Sequence, residues 1–178
     1  MEQKKEMPSE EELKKYHGFT QDTIKGHYDD LAEKYDDVLL SVGYPDPEEC
    51  AKLVEGLELA KTAEIFDMGC GTGLVGASLK KRGYAKVVGV DASPQMLEES
   101  KTKEAYTELK ELFLGSPDTF PEEFQNRFDA ITAAGILAEG HLGPDVFNEM
   151  LLALRPQGYA IFTTREEYLE KYKYGERI

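Results

Sequence analysis

Hydrophobic and polar residues follow two different rhythms along this chain. Before residue 62, apolar residues recur at spacings of three and four, which is typical of amphipathic helices. After residue 62, short apolar runs alternate with longer segments of helical spacing, which predicts βαβ units and a parallel sheet with helices on both faces. The predicted strands are 64–67, 86–90, 111–114, 128–133 and 158–164, and the predicted helices between them are 73–82, 94–109, 117–125 and 144–154.

This pattern divides the chain into three regions. Residues 1–18 are rich in Glu and Lys with few apolar positions, which predicts a mobile N-terminal lead. Residues 19–60 predict amphipathic helices, and Tyr28 and Tyr35 share one face of them. Residues 61–178 predict one α/β domain with a doubly wound, mostly parallel sheet.

Charge and cysteine content restrict the function classes. The chain has 35 acidic against 21 basic residues and a net charge of -14, which argues against nucleic-acid binding and against an anionic membrane surface. Two cysteines, Cys50 and Cys70, do not make a disulfide framework. We find no apolar signal region at the N-terminus and no apolar window long enough to span a membrane. These features predict an intracellular, cytoplasmic protein.

The segment 65–73 carries the strongest functional signal. An apolar run ends on Asp67, and glycines then occupy every second position as Gly69, Gly71 and Gly73. Glycine lets a backbone turn sharply and approach a ligand without a Cβ in the way. Three such glycines beside a carboxylate predict a site for a small polar cofactor.

Three kinds of cofactor loop compete for this segment. A Walker-type phosphate loop requires Lys and Ser or Thr after the last glycine, and this chain has leucine and valine there. A dinucleotide fingerprint G-x-G-x-x-G is present as Gly71, Gly73 and Gly76, with an acid twenty residues after Gly71, at Asp91. The third alternative is a loop for a cationic cofactor, and it depends on where the preceding strand ends.

Asp67 favours a cationic ligand over a pyrophosphate. Burying an unpaired carboxylate is costly, so Asp67 is expected to end its strand at the carboxyl edge of the sheet, where open α/β folds bind ligands. A carboxylate suits an ammonium and a sulfonium better than a phosphate. Asp91 ends the next strand, where it can accept hydrogen bonds from a ribose diol. The two acids therefore favour S-adenosylmethionine over a nicotinamide cofactor.

Residues 64–164 resemble a class I S-adenosylmethionine-dependent methyltransferase. The resemblance is carried by the segments 66–73, 89–97, 128–131 and 154–159, in the expected order and spacing. The short motifs Gly-His-Tyr-Asp, Gly-Cys-Gly-Thr-Gly-Leu-Val and Thr-Thr-Arg are similar to those of the Williams-Beuren syndrome region methyltransferase-like group. The helix predicted over 28–36 resembles the N-terminal lid helix of many such enzymes, so the resemblance implies lid helices over 19–60. It also implies a Rossmann-like fold that is truncated after the fifth strand, because the full fold usually has two more strands.

The resemblance implies where the cofactor would bind. Asp67 and the glycine turn would hold its methionine end, Asp91 its ribose, and residues after the third strand would edge its adenine, although the acid that many relatives carry there is absent. The implied cofactor-binding residues are Tyr28, Tyr35, Asp67, Gly69, Cys70, Gly71, Gly73, Asp91, Ala92, Met96, Ser116 and Ala134. No metal ligands are implied.

Two features near this site have a competing structural interpretation. Tyr28 and Tyr35 lie seven residues apart, a spacing that also suits packing into a core. His141 lies in the loop where substrate-binding residues often occur in such enzymes, and we expect it to be a solvated loop residue.

The expected reaction is methyl transfer by in-line displacement to an unidentified, small-molecule acceptor, with a protein side chain as a second acceptor class. Alignment can supply much of the catalysis, so no catalytic residue is assigned. The alternatives are a catalytically silent S-adenosylmethionine-binding regulatory protein and a nicotinamide-binding oxidoreductase. The open edge expected at strand 158–164 predicts pairing with a second copy of the chain.

Overall fold

The structure is a computed structural model. It describes residues 26, 28, 29, 32, 35–37, 39, 41, 43–138, 141–171 and 174. The N-terminal lead expected over 1–18 lies outside the described residues. The lid helices expected over 19–60 fall partly inside them, and the described residues between 26 and 41 are all helical.

Five strands form one sheet in which every pairing is parallel. Their order is β3-β2-β1-β4-β5. The strands are β1 (Glu64–Met68), β2 (Lys86–Asp91), β3 (Glu108–Glu111), β4 (Phe128–Leu137) and β5 (Leu154–Thr164). The chain runs outward from β1 to β3 and then returns to β4, so the order reverses between β1 and β4. Ligands bind at such a reversal in open α/β sheets.

Besides the helical residues described between 26 and 41, five helices with defined bounds accompany the sheet. They are α1 (Asp46–Gly56), α2 (Leu74–Lys81), α3 (Pro94–Lys101), α4 (Val146–Ala153) and α5 (Glu166–Lys171), with short 3-10 turns at Pro117–Thr119 and Glu122–Phe124. Helix α3 begins as its sequence predicts, because Ser93 Oγ accepts a hydrogen bond from Met96 N at 3.1 Å and Pro94 occupies the first helical position.

Alternate residues of the strands enter two hydrophobic clusters, one on each face of the sheet. On one face, Ile65 and Val87 pack against α1 and α2. On the other, Phe66 and Val88 pack with residues of α4 and of the 3-10 turns, and Phe66 stacks on Phe128 at 4.4 Å between ring centroids. This two-sided burial explains the apolar strand sequences and confirms the Rossmann-like α/β prediction.

Several element boundaries differ from the sequence prediction, and β4 and β5 are each four residues longer than predicted. The third strand is 108–111 and not 111–114, because it lies at the sheet edge, where partial exposure permits a polar sequence. Helix α3 ends at Lys101 and not at 109, and Glu104 with a φ of 49° turns the chain. The helix predicted over 117–125 is two separate 3-10 turns.

Strand β5 occupies the other edge and pairs with β4 within the described part of the chain. The expected edge position is therefore confirmed. Tyr159 on this strand is 47% exposed, whereas Ile161 and Phe162 are half-buried against the two clusters. Pairing of this edge with a second copy stays a prediction.

Candidate cofactor site

A cleft with about 760 Å³ of empty space, part of it open solvent, lies at the carboxyl end of the sheet. The cleft is lined by Tyr28, Tyr35, Gly69, Gly71, Asp91, Ala92, Ser93, Met96, Leu112, Phe113, Leu114, Ala134, Gly135, Ile136, His141 and Leu142. Most of this lining is apolar, and its polar side chains are described below.

The glycine turn between β1 and α2 forms the floor of the cleft. Gly69, Gly71 and Gly73 have φ values of 69°, 52° and 90°, which side chains other than glycine rarely adopt. A Cβ at Gly69 would also overlap the side chain of Ile136, whereas Gly71 faces open space. The turn therefore needs its glycines to bring bare backbone to the cleft surface.

Asp91, the last residue of β2, brings a carboxylate to the cleft wall. Its two oxygens accept hydrogen bonds from Gly71 N and Ser93 N, each at 2.9 Å. Burial raises the pKa of Asp91, and these backbone donors act against that rise. Because each carboxylate oxygen can accept more than one hydrogen bond, Asp91 can hold the glycine turn and still bind ligand hydroxyls.

Asp67 is placed differently from the prediction. Strand β1 continues to Met68, and Asp67 is 0% exposed and does not line the cleft. Its oxygens accept hydrogen bonds from the hydroxyls of Tyr106 at 2.7 Å and Thr132 at 2.8 Å. The argument that Asp67 must end its strand was wrong, because burial is costly only for an unpaired carboxylate and this one is paired with two hydroxyls.

The apolar wall of the cleft is completed by residues 112–114. Leu112, Phe113 and Leu114 follow β3 directly and face the cleft with Met96. Sequence reasoning placed them in a strand and so missed them. The signal was present, because shifting the strand three residues toward the N-terminus would have put this apolar run at the ligand-binding edge.

Glu149 on α4 holds the loop that follows this wall. It is 1% exposed, and its oxygens accept hydrogen bonds from Gly115 N at 2.8 Å and Ser116 N at 2.9 Å. Burial raises the pKa of Glu149, and the two amides oppose that rise. This buried acid fixes the loop at the end of the apolar wall, and no local sequence pattern indicated it.

Two tyrosines among the described helical residues before α1 also line the cleft. Tyr28 and Tyr35 contact edge to face at 5.8 Å between ring centroids. The Tyr28 hydroxyl is 2.7 Å from His141 Nε2, and both residues line the cleft. His141 is therefore a cleft residue and not the solvated loop residue expected from sequence. Its contact with Tyr28 joins residues 113 positions apart, which no local pattern reveals.

The helical segment that carries Tyr28 and Tyr35 is tied to the cleft by carboxylates. Asp29 accepts a hydrogen bond from Ser93 Oγ at 2.5 Å, and Asp36 accepts one from Thr72 Oγ1 at 2.5 Å. Lys103 adds an ion pair with Asp36 at 2.7 Å. These contacts hold the helical residues around Tyr28 and Tyr35 beside the cleft, and their action as a lid stays a prediction.

Comparison with known proteins identifies the domain. A family model described as a methyltransferase domain matches residues 65–158, which span strands β1 to β4 and the start of β5. The chain belongs to this family. The sequence-based prediction of a class I S-adenosylmethionine-dependent methyltransferase is thereby confirmed.

Individual methyltransferases give the same result. Human methyltransferase-like protein 27 is 34% identical over 155 residues, which is 84% of this chain and 61% of that protein. The ribosomal protein L11 methyltransferase of Aliivibrio fischeri strain ES114 is 31% identical over 145 residues, 76% of this chain and 45% of that enzyme. The chain thus spans about half to three fifths of these relatives.

A solved structure shares the fold of this methyltransferase domain. The TehB-like S-adenosylmethionine-dependent methyltransferase of Corynebacterium glutamicum superposes with a TM-score of 0.60 at 22% identity, covering 83% of this chain and 82% of that one. The parallel sheet and its order are therefore those of a known methyltransferase fold.

The predicted site residues of this methyltransferase domain fall into two groups. Those that line the cleft are Tyr28, Tyr35, Gly69, Gly71, Asp91, Ala92, Met96 and Ala134. Those that do not line it are Asp67, Cys70, Gly73 and Ser116. Their role in binding the cofactor stays a prediction for every member of both groups.

The described residues contain neither a metal-binding cluster nor a membrane-spanning helix. No cluster of three or more His, Cys, Asp or Glu side chains there could hold a metal ion. No helix of the described part has the length and apolar character needed to cross a membrane.

Proposed function

We propose that this domain binds S-adenosylmethionine in the cleft and transfers its methyl group to a small acceptor that enters beside His141. The observation that carries the proposal is the arrangement of the cleft floor. A glycine turn with bare backbone and a strand-end carboxylate, Asp91, meet there at the point where the strand order reverses.

The residues that line the cleft suit each part of the cofactor. Asp91 would accept hydrogen bonds from the ribose hydroxyls, while Met96, Leu112 and Leu114 offer an apolar wall to the adenine. The exposed backbone of Gly69 and Gly71 would bind the methionine portion. When bound, the cofactor supplies an electrophilic methyl group on a sulfonium.

The 134–136 segment and His141 would form the acceptor end. His141 Nε2, which lies 2.7 Å from the Tyr28 hydroxyl, can take up a proton from an acceptor hydroxyl as the methyl group is transferred, or from an ammonium before the resulting amine attacks the methyl group. Tyr28 and Tyr35 would exclude water and align the acceptor. Among the described lining residues there is no Lys or Arg. An uncharged or cationic acceptor therefore fits this end better than a carboxylate or phosphate.

Calorimetric titrations with S-adenosylmethionine and with reduced nicotinamide dinucleotide test the first part of this proposal. We expect heat of binding with the former alone. Binding of the dinucleotide alone would contradict the proposal and support an oxidoreductase.

Formation of S-adenosylhomocysteine against a panel of neutral and cationic amines and hydroxyl compounds tests the second part. Turnover with one of them supports the methyltransferase. Cofactor binding without any turnover would support the silent S-adenosylmethionine-binding protein.

A further inference from the structure

Tyr106 lies behind the glycine turn and not on the cleft surface. Its ring occupies space left by three glycines. A Cβ at Gly76 would overlap the ring, one at Gly89 would lie 2.8 Å from Cδ1, and one at Gly73 would lie 3.1 Å from Cε2. Two of the glycines that spell the dinucleotide fingerprint, Gly73 and Gly76, therefore have a different reason to be glycine in this chain.

The Tyr106 hydroxyl joins the two elements that flank the glycine turn, β1 and α2. It donates a hydrogen bond to Asp67 Oδ2 at 2.7 Å and accepts one from Gly76 N at 3.1 Å. Gly76 lies in the first turn of α2, whose amides have no partner within the helix. The N-cap residue of α2 is Gly73, which makes no side-chain cap, so Tyr106 supplies the cap from a distant part of the chain.

The surroundings of Asp67 contain acids and neutral donors. Asp91 on β2, Cys70 in the glycine turn and Cys50 on α1 are the titratable groups that interact with it besides Tyr106. Within the described residues, no cationic side chain forms an ion pair with Asp67. An ionised Asp67 would therefore favour a cationic ligand group bound at the turn above it.

We propose that Tyr106 is a positioning residue for the cofactor: its hydroxyl ties the start of α2 to Asp67 on β1, across the glycine turn that connects them, and fixes the Asp67 carboxylate beneath the binding site for the methionine end. Asp67 then acts through the turn and through its charge, without touching the cofactor. This inference rests on the cofactor site proposed above.

The pKa of Asp67 supports this role. Burial raises the pKa of Asp67 to about 6, and the hydroxyls of Tyr106 and Thr132 oppose that rise. Removing the Tyr106 hydroxyl would raise the pKa further, so that Asp67 becomes partly protonated near pH 7. A purely structural role would leave no such signature in a binding profile.

The test compares Tyr106→Phe with Tyr84→Phe, a matched control. Tyr84 is also buried, and its hydroxyl donates to Val54 O at 3.3 Å, away from the cleft. The probes are S-adenosylmethionine and 5′-methylthioadenosine, which lacks the amino-acid part and the positive charge. At pH 7.5 we expect Tyr106→Phe to weaken S-adenosylmethionine binding about tenfold, because a hydrogen bond to a buried charge is lost. Binding of 5′-methylthioadenosine should change less than about threefold in both variants, because its contacts are made elsewhere in the cleft.

The pH profile gives the second readout. In the unaltered protein, affinity for S-adenosylmethionine should be constant above pH 7 and fall as Asp67 is protonated near pH 6. In Tyr106→Phe the fall should begin at a higher pH, whereas Tyr84→Phe should follow the unaltered protein.

The other possible outcomes contradict either the role of Tyr106 or the proposed function. Equal weakening of both probes, an unshifted profile, or an equal effect of Tyr84→Phe would overturn the role of Tyr106. Failure of the unaltered protein to bind S-adenosylmethionine would overturn the proposed function itself. If Tyr106→Phe does not fold, Thr132→Val removes the other hydroxyl on Asp67, and the same two probes must then separate in the same way.

Discussion

The carboxyl ends of β1 and β2 look alike in sequence, but their acids have different surroundings. Asp91 faces the cleft and accepts its hydrogen bonds from the backbone of neighbouring turns. Asp67, on the adjacent strand, is fully buried and bonded to the side chains of Tyr106 and Thr132. An acid at the end of a strand can therefore serve a ligand site in two ways, either by contacting the ligand or by acting from beneath the site.

The largest difference between the two acids should appear when Asp91 is removed. Asp91→Ala is expected to weaken S-adenosylmethionine binding by about 100-fold, because it deletes a charged acceptor for the ribose and the anchor of Gly71 N. Calorimetry measures this loss. Asp129→Asn is the control, because Asp129 also accepts a backbone amide, Glu64 N at 2.8 Å, but is not in the cleft lining. A loss below about threefold in Asp91→Ala would contradict a contact role.

Asp67→Asn should have a smaller effect on binding and the opposite effect on stability. We expect S-adenosylmethionine affinity to fall roughly tenfold, since a charge is lost but no direct contact. The free energy of unfolding at pH 7.5 should rise by about 1–3 kcal/mol, because the neutral amide avoids the cost of burying a charge. Urea denaturation measures it, and a destabilised variant would show that the charged carboxylate is needed for folding.

The raised pKa of Asp67 predicts that the stability of the protein depends on pH. Because the pKa of folded Asp67 is raised to about 6 from 3.8, the folded state binds more protons than the unfolded state between these values. The stabilising contribution of protonated Asp67 is present below pH 4 and is lost as pH rises through 6. Denaturation of the unaltered protein and of Asp67→Asn at pH 5 and pH 8 measures it, and their difference in stability should be larger at pH 8.

Glu149 is, like Asp67, a buried acid, and it lies near the proposed adenine end of the cleft. Glu149→Gln replaces one acceptor oxygen with an amide donor that faces backbone donors, so the 115–116 loop should shift. We expect S-adenosylmethionine and 5′-methylthioadenosine to weaken equally, by about fivefold. Selective loss of S-adenosylmethionine alone would be inconsistent with this placement.

His141→Gln should have the smallest effect on the cofactor. Affinity for S-adenosylmethionine is expected to change less than about twofold, while turnover with an accepted substrate falls at least tenfold. An initial-rate assay of S-adenosylhomocysteine formation measures the second value. Unchanged turnover would remove His141 from the acceptor site.

Local sequence patterns were sufficient to predict the fold and the position of Asp91, but not the surroundings of Asp67. Apolar runs separated by helical segments predicted the parallel sheet, and the Gly69–Gly71 spacing with Asp91 predicted the cleft floor, because each depends on residues close together in sequence. The partners of Asp67 are 39 and 65 residues away, so the sequence near Asp67 could not show that its charge is satisfied.

The same reason explains the remaining differences. The edge strand β3 has the polar sequence Glu-Leu-Lys-Glu, and the neighbouring apolar run 112–114 was taken for the strand although it lines the cleft. Glu149 lies 33 and 34 positions from the amides that it holds, again beyond the reach of local spacing.

A crystal structure of the protein with S-adenosylhomocysteine tests the comparison most directly. We expect the Asp91 carboxylate to lie within hydrogen-bond distance of both ribose hydroxyls. Asp67 should keep its hydrogen bonds to Tyr106 and Thr132 and make no contact with the ligand. An Asp67 side chain turned away from Tyr106 and bonded to the ligand's amino group would contradict the account.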